Sequence, residues 1–171
     1  DNGLAPFGGH ADYQSHLVSA FVPTKPRRAV EVLLASVESN GLSDPFEIRS
    51  KVQQAAVGYR MVASELTLPP GSGEVGVGIE YRKATLEGRF DSILVVSNTA
   101  EVVQFYAGWD NTFVDKLGTT NVRAEMRVSP GGLSGANTVS AFSAYTSGRV
   151  TDTAYTYGNL DLSRTTDVND L

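Results

Sequence analysis

The clearest pattern in the chain is a two-residue alternation of apolar and polar positions, which is typical of a β-strand with one buried face. It is sharpest over residues 122–128, where apolar side chains alternate with Asn, Arg and Glu. It also runs through residues 75–81 and, less regularly, through residues 59–68. The Pro-Pro-Gly-Ser-Gly segment at residues 69–73 lies between the last two stretches, so they are predicted to form a hairpin.

Other segments carry weaker or ambiguous patterns. Residues 29–38 fit both a helical and a strand period, with a slight preference for strand because β-branched Val is frequent. Residues 43–57 predict a helix, since Ser43 and Pro45 suit its first turn and Gly58 its end. Residues 100–106 fit either a brief helix or a strand. Residues 139–145 alternate like a strand.

The spacing of these segments determines the predicted fold class. Residues 93–96 form a short apolar run, which is typical of a strand covered on both faces. Strands recurring about every 8–12 residues, with few helices, indicate an antiparallel sandwich or barrel. We therefore predict a mainly β protein, an antiparallel β-sandwich with one or two short helices.

Length and glycine-proline content predict the domain organisation. A chain of 171 residues fits one domain. Residues 1–26, rich in Gly and Pro, are predicted to be an extended, irregular N-terminal arm. Residues 27–171 are then the single β domain.

Charge and composition exclude several classes of function. The formal net charge is −5 and there is no cysteine, so thiolate catalysis, zinc-thiolate sites and disulfides are excluded. Phosphate binding needs clustered Lys and Arg, and only Lys25, Arg27 and Arg28 form such a cluster. No apolar run of about 18 residues predicts a membrane span.

Catalytic chemistry has little support in the sequence. The two histidines, His10 and His16, lie in the predicted arm at a spacing that fits no standard zinc pattern. No nucleophile elbow, Walker motif or dinucleotide-binding motif is present. The glycine patch of Gly71, Gly73, Gly76 and Gly78 lies in and after a loop and is not followed by a helix that could hold a phosphate, so a turn with a closely approached strand is the simpler interpretation. The chain is therefore not expected to be an enzyme.

Two further groups are candidate binding residues. The C-terminal oxygens of Asp167, Asn169 and Asp170 could help to bind Ca²⁺ between subunits, although a frayed, solvated tail is the simpler interpretation. An aromatic group suggests either the edge of a core or a platform on which a sugar ring stacks. Its members are Phe105, Tyr106, Trp109 and Phe113.

Residues 52–81, VQQAAVGYRMVASELTLPPGSGEVGVGIEY, carry a resemblance to a known family. A helix running into a Tyr-Arg-Val-Val-Ser-like strand, then a Pro/Gly/Ser/Thr loop and a second alternating strand, resembles the single jelly-roll coat proteins of small icosahedral positive-strand RNA viruses. The counterparts here are residues 59–64, 69–73 and 75–81. The resemblance implies an eight-stranded jelly-roll-like sandwich.

The same resemblance implies a structural function. Such a capsid protein self-assembles from many copies into an icosahedral virion shell around viral RNA, and some coats bind Ca²⁺ between subunits. Many such coat proteins bind the packaged RNA through an Arg-rich N-terminal arm. The present residues contain no such arm, so contact with RNA is expected through a segment outside them. The alternative is a β-sandwich carbohydrate-binding or adhesin module that uses the region of Trp109.

Overall fold

The computed structural model describes residues 11–43, 45–66 and 73–166. The described chain is mainly β, with one α-helix and one 3-10 turn. Its elements are β1 (Ala11–Lys25), β2 (Arg28–Ser43), β3 (Phe46–Val62), η1 (Ala63–Leu66), β4 (Glu74–Phe90), β5 (Ile93–Asp115), β6 (Gly118–Ser129), α1 (Val139–Tyr145) and β7 (Tyr155–Thr166). The prediction of a mainly β, antiparallel chain with a short helix is confirmed.

All seven strands belong to one antiparallel sheet, in which each strand pairs with the next one in the chain. Two-residue turns join β1 to β2, β4 to β5 and β5 to β6, and a strand that ends in a tight turn pairs with its own continuation. The longer segment of residues 130–154, which includes α1, joins β6 to β7. The arrangement is consistent with a β-sandwich, although every described strand lies in the same layer. Where the resemblance implies eight strands in jelly-roll order, the described residues contain seven in simple chain order.

Two hairpin turns place non-glycine residues in the left-handed region. Asp91 and Ser92 have φ values of 47° and 66°, which fits the two-residue turn that matches the twist of the flanking strands. Between β1 and β2, Pro26 precedes Arg27, whose φ is 65°. Proline followed by a residue with positive φ is the signature of a type II turn, where glycine or asparagine is the usual second residue.

Arg27→Gly is therefore expected to stabilise the chain. Glycine adopts a positive φ without the steric cost that an L side chain carries, so the free energy of unfolding should rise by about 0.5–1 kcal/mol. Urea unfolding at one fixed protein concentration measures this change. Arg27→Ala is the control, because it removes the same charge and keeps the strained φ; equal stability of the two variants would contradict the explanation.

The helix predicted over residues 43–57 is wrong. Phe46–Val62 is a strand, β3, that pairs along its whole length with β2 on one side and β4 on the other. The helical spacing of Ile48, Val52 and Ala55 was misleading because this strand carries apolar residues on both of its faces. Pairing with two neighbouring strands outweighs the weak local preference for a helix.

Other predictions have mixed outcomes. Residues 29–38 and residues 102–106 are strands, and the alternation at residues 75–81 and 122–128 is confirmed as part of β4 and β6. The irregular character predicted for residues 11–25 is wrong, since they form β1 along β2. Residues 139–145 form helix α1 rather than a strand, because Thr138 caps it by accepting a hydrogen bond from Ala141 N–H.

The residues that follow β3 and those that begin β5 also differ from expectation. The described residues 63–66 form the 3-10 turn η1, so the strand predicted to continue toward Leu68 ends at Val62. Residues 93–96 are a strand as predicted, but the side chains of Ile93 and Val95 are 68% and 65% exposed rather than covered on both faces. A second layer of the described chain does not cover this end of the sheet.

Candidate functional site

The two faces of the sheet differ in chemistry, and paired residues show which side chains share a face. Tyr106 and Trp109 of β5 lie on opposite faces, because they are an odd number of residues apart in one strand. We call these the Tyr face and the Trp face. The upper half of the sheet lies toward the turn between β5 and β6, and the lower half lies toward the turn between β4 and β5.

The upper half of the Trp face carries a continuous set of apolar side chains, which we call the apolar band. Its two central rows run directly across paired strands. One row is Val22, Val30, Tyr59, Val77, Ala107 and Met126. The next row is Ala20, Val32, Val57, Ile79, Phe105 and Val128.

Two shorter rows flank the centre of the band. Toward the lower half the row is Val18, Leu34, Ala55, Tyr81 and Val103. Toward the upper end the row is Met61, Val75, Trp109, Ala124 and Leu160. No charged residue interrupts any of these four rows.

The apolar band is open to solvent in the single chain. Val57, Val77, Phe105 and Met126 are 50%, 52%, 48% and 51% exposed, whereas only Ala29, Ala63 and Ala100 are buried apolar residues in the described chain. From strand and row spacing, the footprint of the band with its margins is roughly 700 Å². The largest apolar patch on a typical monomer is about 300–600 Å². The band is therefore larger than an ordinary exposed patch.

A second apolar surface, the lower patch, lies on the Tyr face in the lower half. One row is Val37, Val52, Ala84 and Ala100. The next row, Ser39, Ser50, Leu86 and Asn98, is mostly polar, and the row beyond it contains Ile48, Gly88 and Val96. At the lower end, Phe46 and Phe90 pack edge to face with ring centroids 5.1 Å apart. Phe46 is nevertheless 56% exposed. The lower patch is thus also uncovered at its end.

Charged residues occupy the two remaining quarters of the sheet. Behind the lower patch, the Trp face carries pairs such as Lys51 with Glu38 at 3.8 Å and Arg49 with Glu47 at 3.4 Å. Behind the apolar band, the Tyr face carries Glu31, which accepts from Arg60 at 2.9 Å. Along β3, β4 and β5, therefore, the apolar side chains change from one face of the sheet to the other.

A buried ion-pair network lies in the upper half of the Tyr face. The carboxylate of Glu80 is 3% exposed and accepts from Arg127 at 2.6 Å and from Arg82 at 2.9 Å. Arg127 also donates to Glu125 at 2.6 Å, and this hydrogen bond, with the nearby Glu80, raises the pKa of Arg127 despite its partial burial. The guanidinium therefore stays charged throughout the ordinary pH range.

Tyr106 lies over two glycines next to this network. The ring of Tyr106 crosses Gly78 and reaches Gly58, and the guanidinium carbon of Arg127 is 5.8 Å from its centroid. Burial raises the pKa of the Tyr106 phenol, and the carboxylate of Glu31 adds to this rise. Glycines at both positions leave the room that the ring occupies, so this part of the Tyr face is packed by its own residues.

A concavity of about 910 Å³ lies at the upper end of the sheet. Its charged lining consists of Arg60, Arg123, Glu74, Asp110 and Asp161. Both arginines are already paired, Arg123 with Asp110 at 2.6 Å and Arg60 with Glu74 at 3.4 Å. An anion entering this concavity would meet an excess of carboxylates, so it is a poor phosphate site.

Asp115 and Arg164 connect β7 to the turn between β5 and β6, with 2.9 Å between Arg164 Nη2 and Asp115 Oδ1. Asp115 also accepts from the Leu117 N–H at 2.8 Å. These bonds, the one from Arg164 first, lower the pKa of Asp115 below its usual value. A carboxyl group whose pKa is lower in the folded chain than in the unfolded chain stabilises the fold. This contribution is complete at pH values above the unfolded-state pKa, and it is lost as the pH falls through the folded-state pKa.

We therefore expect the upper end of β7 to fray when the pH falls below about 4. The effect should be small because the pair is exposed. Amide proton exchange at residues 162–166, followed by NMR between pH 6 and 3, measures it. Asp115→Asn is the control and should flatten the pH dependence at these amides; an unchanged profile would mean that another group causes the fraying.

The structure says little about the residues predicted to bind metal. Asp167, Asn169 and Asp170, the candidates for Ca²⁺ at a subunit interface, lie outside the described residues, as does His10. His16 lies in β1 on the polar lower half of the Trp face. In the described ranges, no three His, Cys, Asp or Glu side chains group as a metal site would require.

The aromatic group predicted near Trp109 is divided between the two faces. Phe105, Trp109 and Phe113 lie on the Trp face, while Tyr106 lies on the other. The rings of Trp109 and Phe113 are 6.5 Å apart with an interplanar angle of 65°, so they do not form one flat platform. Trp109 instead belongs to the flanking row of the apolar band.

The structure also shows where the predicted basic cluster and part of the glycine patch lie. Arg28 forms an ion pair with Glu65 of η1, which leaves Lys25 and Arg27 as the remaining charges of the cluster. Gly76 and Gly78 lie inside β4, and Gly78 is closely approached by Tyr106. The interpretation of the patch as a closely approached strand is confirmed for Gly78.

Sequence reasoning missed the lower patch because it assigned Ile48 and Val52 to a helix. The lower patch could have been recognised from a second alternation, because every second residue from 46 to 52 is apolar except Ser50. No helix in the described part of the chain is long and apolar enough to cross a membrane. No family model, no curated protein and no solved structure matches the chain.

Proposed function

We propose that this chain is a structural capsid subunit, which self-assembles into an icosahedral virion shell enclosing a viral RNA genome. The observation that carries the proposal is the pair of exposed apolar surfaces, the band and the lower end of the lower patch, on opposite faces of one sheet. A protein whose sheet is open on both faces needs partners to exclude water from its apolar side chains.

Two surfaces favour an extended assembly over a simple dimer. One self-complementary surface gives a closed pair, whereas a second, differently placed surface allows each copy to contact further copies. The band and the lower patch face in opposite directions and occupy different halves of the sheet, so one can be covered without blocking the other. Such a geometry permits an extended assembly, of which a closed shell is one form.

RNA is proposed to bind through a segment outside these residues. The charged quarters of the sheet contain internally paired groups, such as Arg127 with Glu80, and the net charge of the chain is −5. Binding of phosphates requires unpaired Lys and Arg, and the described faces offer too few of them.

Electron microscopy and light scattering of the purified protein test the proposal, with and without added RNA. Uniform shells tens of nanometres across that protect RNA from nuclease are the expected result. Repeating the measurement with Ca²⁺ and with a chelator examines the role of Asp167, Asn169 and Asp170 at subunit contacts. A monodisperse chain that forms no particle with or without RNA would overturn the proposal.

A carbohydrate-binding or adhesin module is the alternative, because Phe113 beside Trp109 is 49% exposed. Its distinguishing result is saturable quenching of Trp109 fluorescence by a sugar in a protein that does not form particles. Quenching by the assembly of copies, by contrast, would depend on protein concentration and not on sugar.

A further inference from the structure

We infer that the apolar band is the contact between two copies of this chain, packed face to face by their upper halves. The inference rests on the proposed function and names the partner of one of its two surfaces. The two sheets would then form a two-layer sandwich across the contact, with about 10 Å between the layers.

This chain has too few other apolar residues to cover the band. Outside the described ranges, the large apolar residues of the 171 are Leu4, Phe7, Leu68, Val168 and Leu171. Helix α1 has seven residues and lies against β5, bonded through Ala144 O to Asn98. Neither source supplies a surface as wide as six strands, whereas a second copy supplies an equal one.

The size and chemistry of the band agree with this occupant. A stable interface buries about 800 Å² on each partner, which is close to the footprint of roughly 700 Å² estimated for the band. The rows contain no charge, so the covering surface must also be apolar and flat. The same band on a second copy meets both conditions, and self-matching contacts about a two-fold axis are the commonest kind in oligomers.

The polar lower half determines how the two sheets overlap. Complete overlap would bring Glu38, Lys51 and Arg49 of the Trp face against a second sheet and remove them from water. Burial of charged groups without new partners is strongly unfavourable. We therefore expect only the upper halves to overlap, with the two lower halves pointing in opposite directions. The lower patches lie on the other face and stay outside this contact.

Val77→Asp tests the contact, because Val77 lies on the central strand of the band. It is 52% exposed in the single chain, so aspartate should allow folding, but in the pair it would bury an unpaired charge. We expect association to weaken at least about 100-fold. Val114→Asp is the matched control, since Val114 is 77% exposed near the upper turn on the Tyr face.

Sedimentation velocity over a range of concentrations measures the association, and far-UV circular dichroism checks that each variant is folded. Wild type and Val114→Asp are expected to associate through the band, and Val77→Asp to stay folded but to lose this association. Met126→Lys, on another strand of the same row, should behave like Val77→Asp. A folded wild-type monomer at tens of micromolar, or association of Val77→Asp equal to wild type, would overturn the inference.

The partial overlap has its own measurement. The chain contains no cysteine, so Ser97→Cys in the lower half of β5 accepts a single spin label. At about 3.3 Å per residue, overlap of the upper halves alone places the two labels roughly 60 Å apart. Complete overlap places them within about 20 Å. A pulsed dipolar spectrum of the dimer that shows only the short distance would overturn the partial overlap.

These outcomes separate the inference from the proposed function. If wild type forms dimers through the band but never forms shells with RNA, the inference holds and the capsid proposal fails. If shells form and Val77→Asp forms them equally well, the capsid proposal holds and the inference fails. If the wild type stays monomeric and associates only when another protein is added, the band binds a different partner and the inference is overturned.

Discussion

Gly78→Ala will lower the free energy of unfolding by about 2–3 kcal/mol, while Gly76→Ala will change it by less than about 0.5 kcal/mol. The two glycines lie on the same strand and the same face, two residues apart. A Cβ at Gly78 would come within 2.5 Å of both the backbone oxygen of Val57 and the ring of Tyr106. A Cβ at Gly76 meets nothing nearer than 3.9 Å.

Gly58→Ala extends this test to the other glycine beneath Tyr106. A Cβ at Gly58 would lie 3.3 Å from the ring carbon Cζ and closer still to the phenol oxygen. Tyr106→Phe removes that oxygen, so it should restore most of the stability lost in Gly58→Ala. It should not rescue Gly78→Ala, because there the backbone of Val57 is also in the way.

Urea unfolding followed by circular dichroism, at one protein concentration for all variants, measures these changes. A double-mutant cycle between Gly58→Ala and Tyr106→Phe isolates the coupling of the pair. Equal losses at Gly76 and Gly78, or no rescue at Gly58, would show that Tyr106 does not lie over the glycines in solution.

Arg127→Met is expected to cost about 3 kcal/mol of unfolding free energy, because it removes the closest cation from a buried carboxylate. Glu80 is 3% exposed, and its other partner, Arg82, has a side chain that is 47% exposed. Arg123→Met is the control, since the side chain of Arg123 is 67% exposed and its pair with Asp110 is solvated. That variant should lose less than about 1 kcal/mol.

Replacement of both Glu80 and Arg127 shows how much of the lost stability comes from leaving the buried carboxylate of Glu80 without a cation. In the double variant Glu80→Gln with Arg127→Met, no buried carboxylate is left without a cation, so stability should recover by at least about half of the single loss. Thermal and urea unfolding of the three variants give the comparison. If the double variant is as unstable as Arg127→Met, the loss comes from packing of the arginine stem against Tyr106 and not from the charge of Glu80.

Strands with apolar residues on one face were predictable from their alternation. Strands with apolar residues on both faces were not, because their apolar positions do not alternate along the whole strand. Residues 122–128 alternate cleanly because β6 lies only in the upper half, where apolar side chains belong to one face. β3 passes through both halves, and its apolar positions change face near residue 54, which imitates the spacing of a helix. Pairing with β2 and β4 is a long-range effect that no local pattern records.

Charge pairs of the candidate site were equally inaccessible to sequence reasoning. Glu80 and Arg127 are 47 residues apart in the chain, and only the register of β4, β5 and β6 brings them together. The band was partly visible, since Val75, Val77, Ile79 and Tyr81 were predicted to share a face. Its continuity across neighbouring strands follows from their order in the sheet, which the spacing of strands alone does not determine.

The chain order of the strands has a consequence for synthesis on the ribosome. Because each strand pairs with the one made just before it, the sheet can grow by one hairpin at a time while the rest of the chain is still being translated. The central rows of the band reach their full width only when β6 has joined the sheet. For most of translation a nascent chain therefore presents only a narrow apolar surface, and the full width of the band forms only near the end of synthesis. Association through the band is thereby delayed until the chain leaves the ribosome.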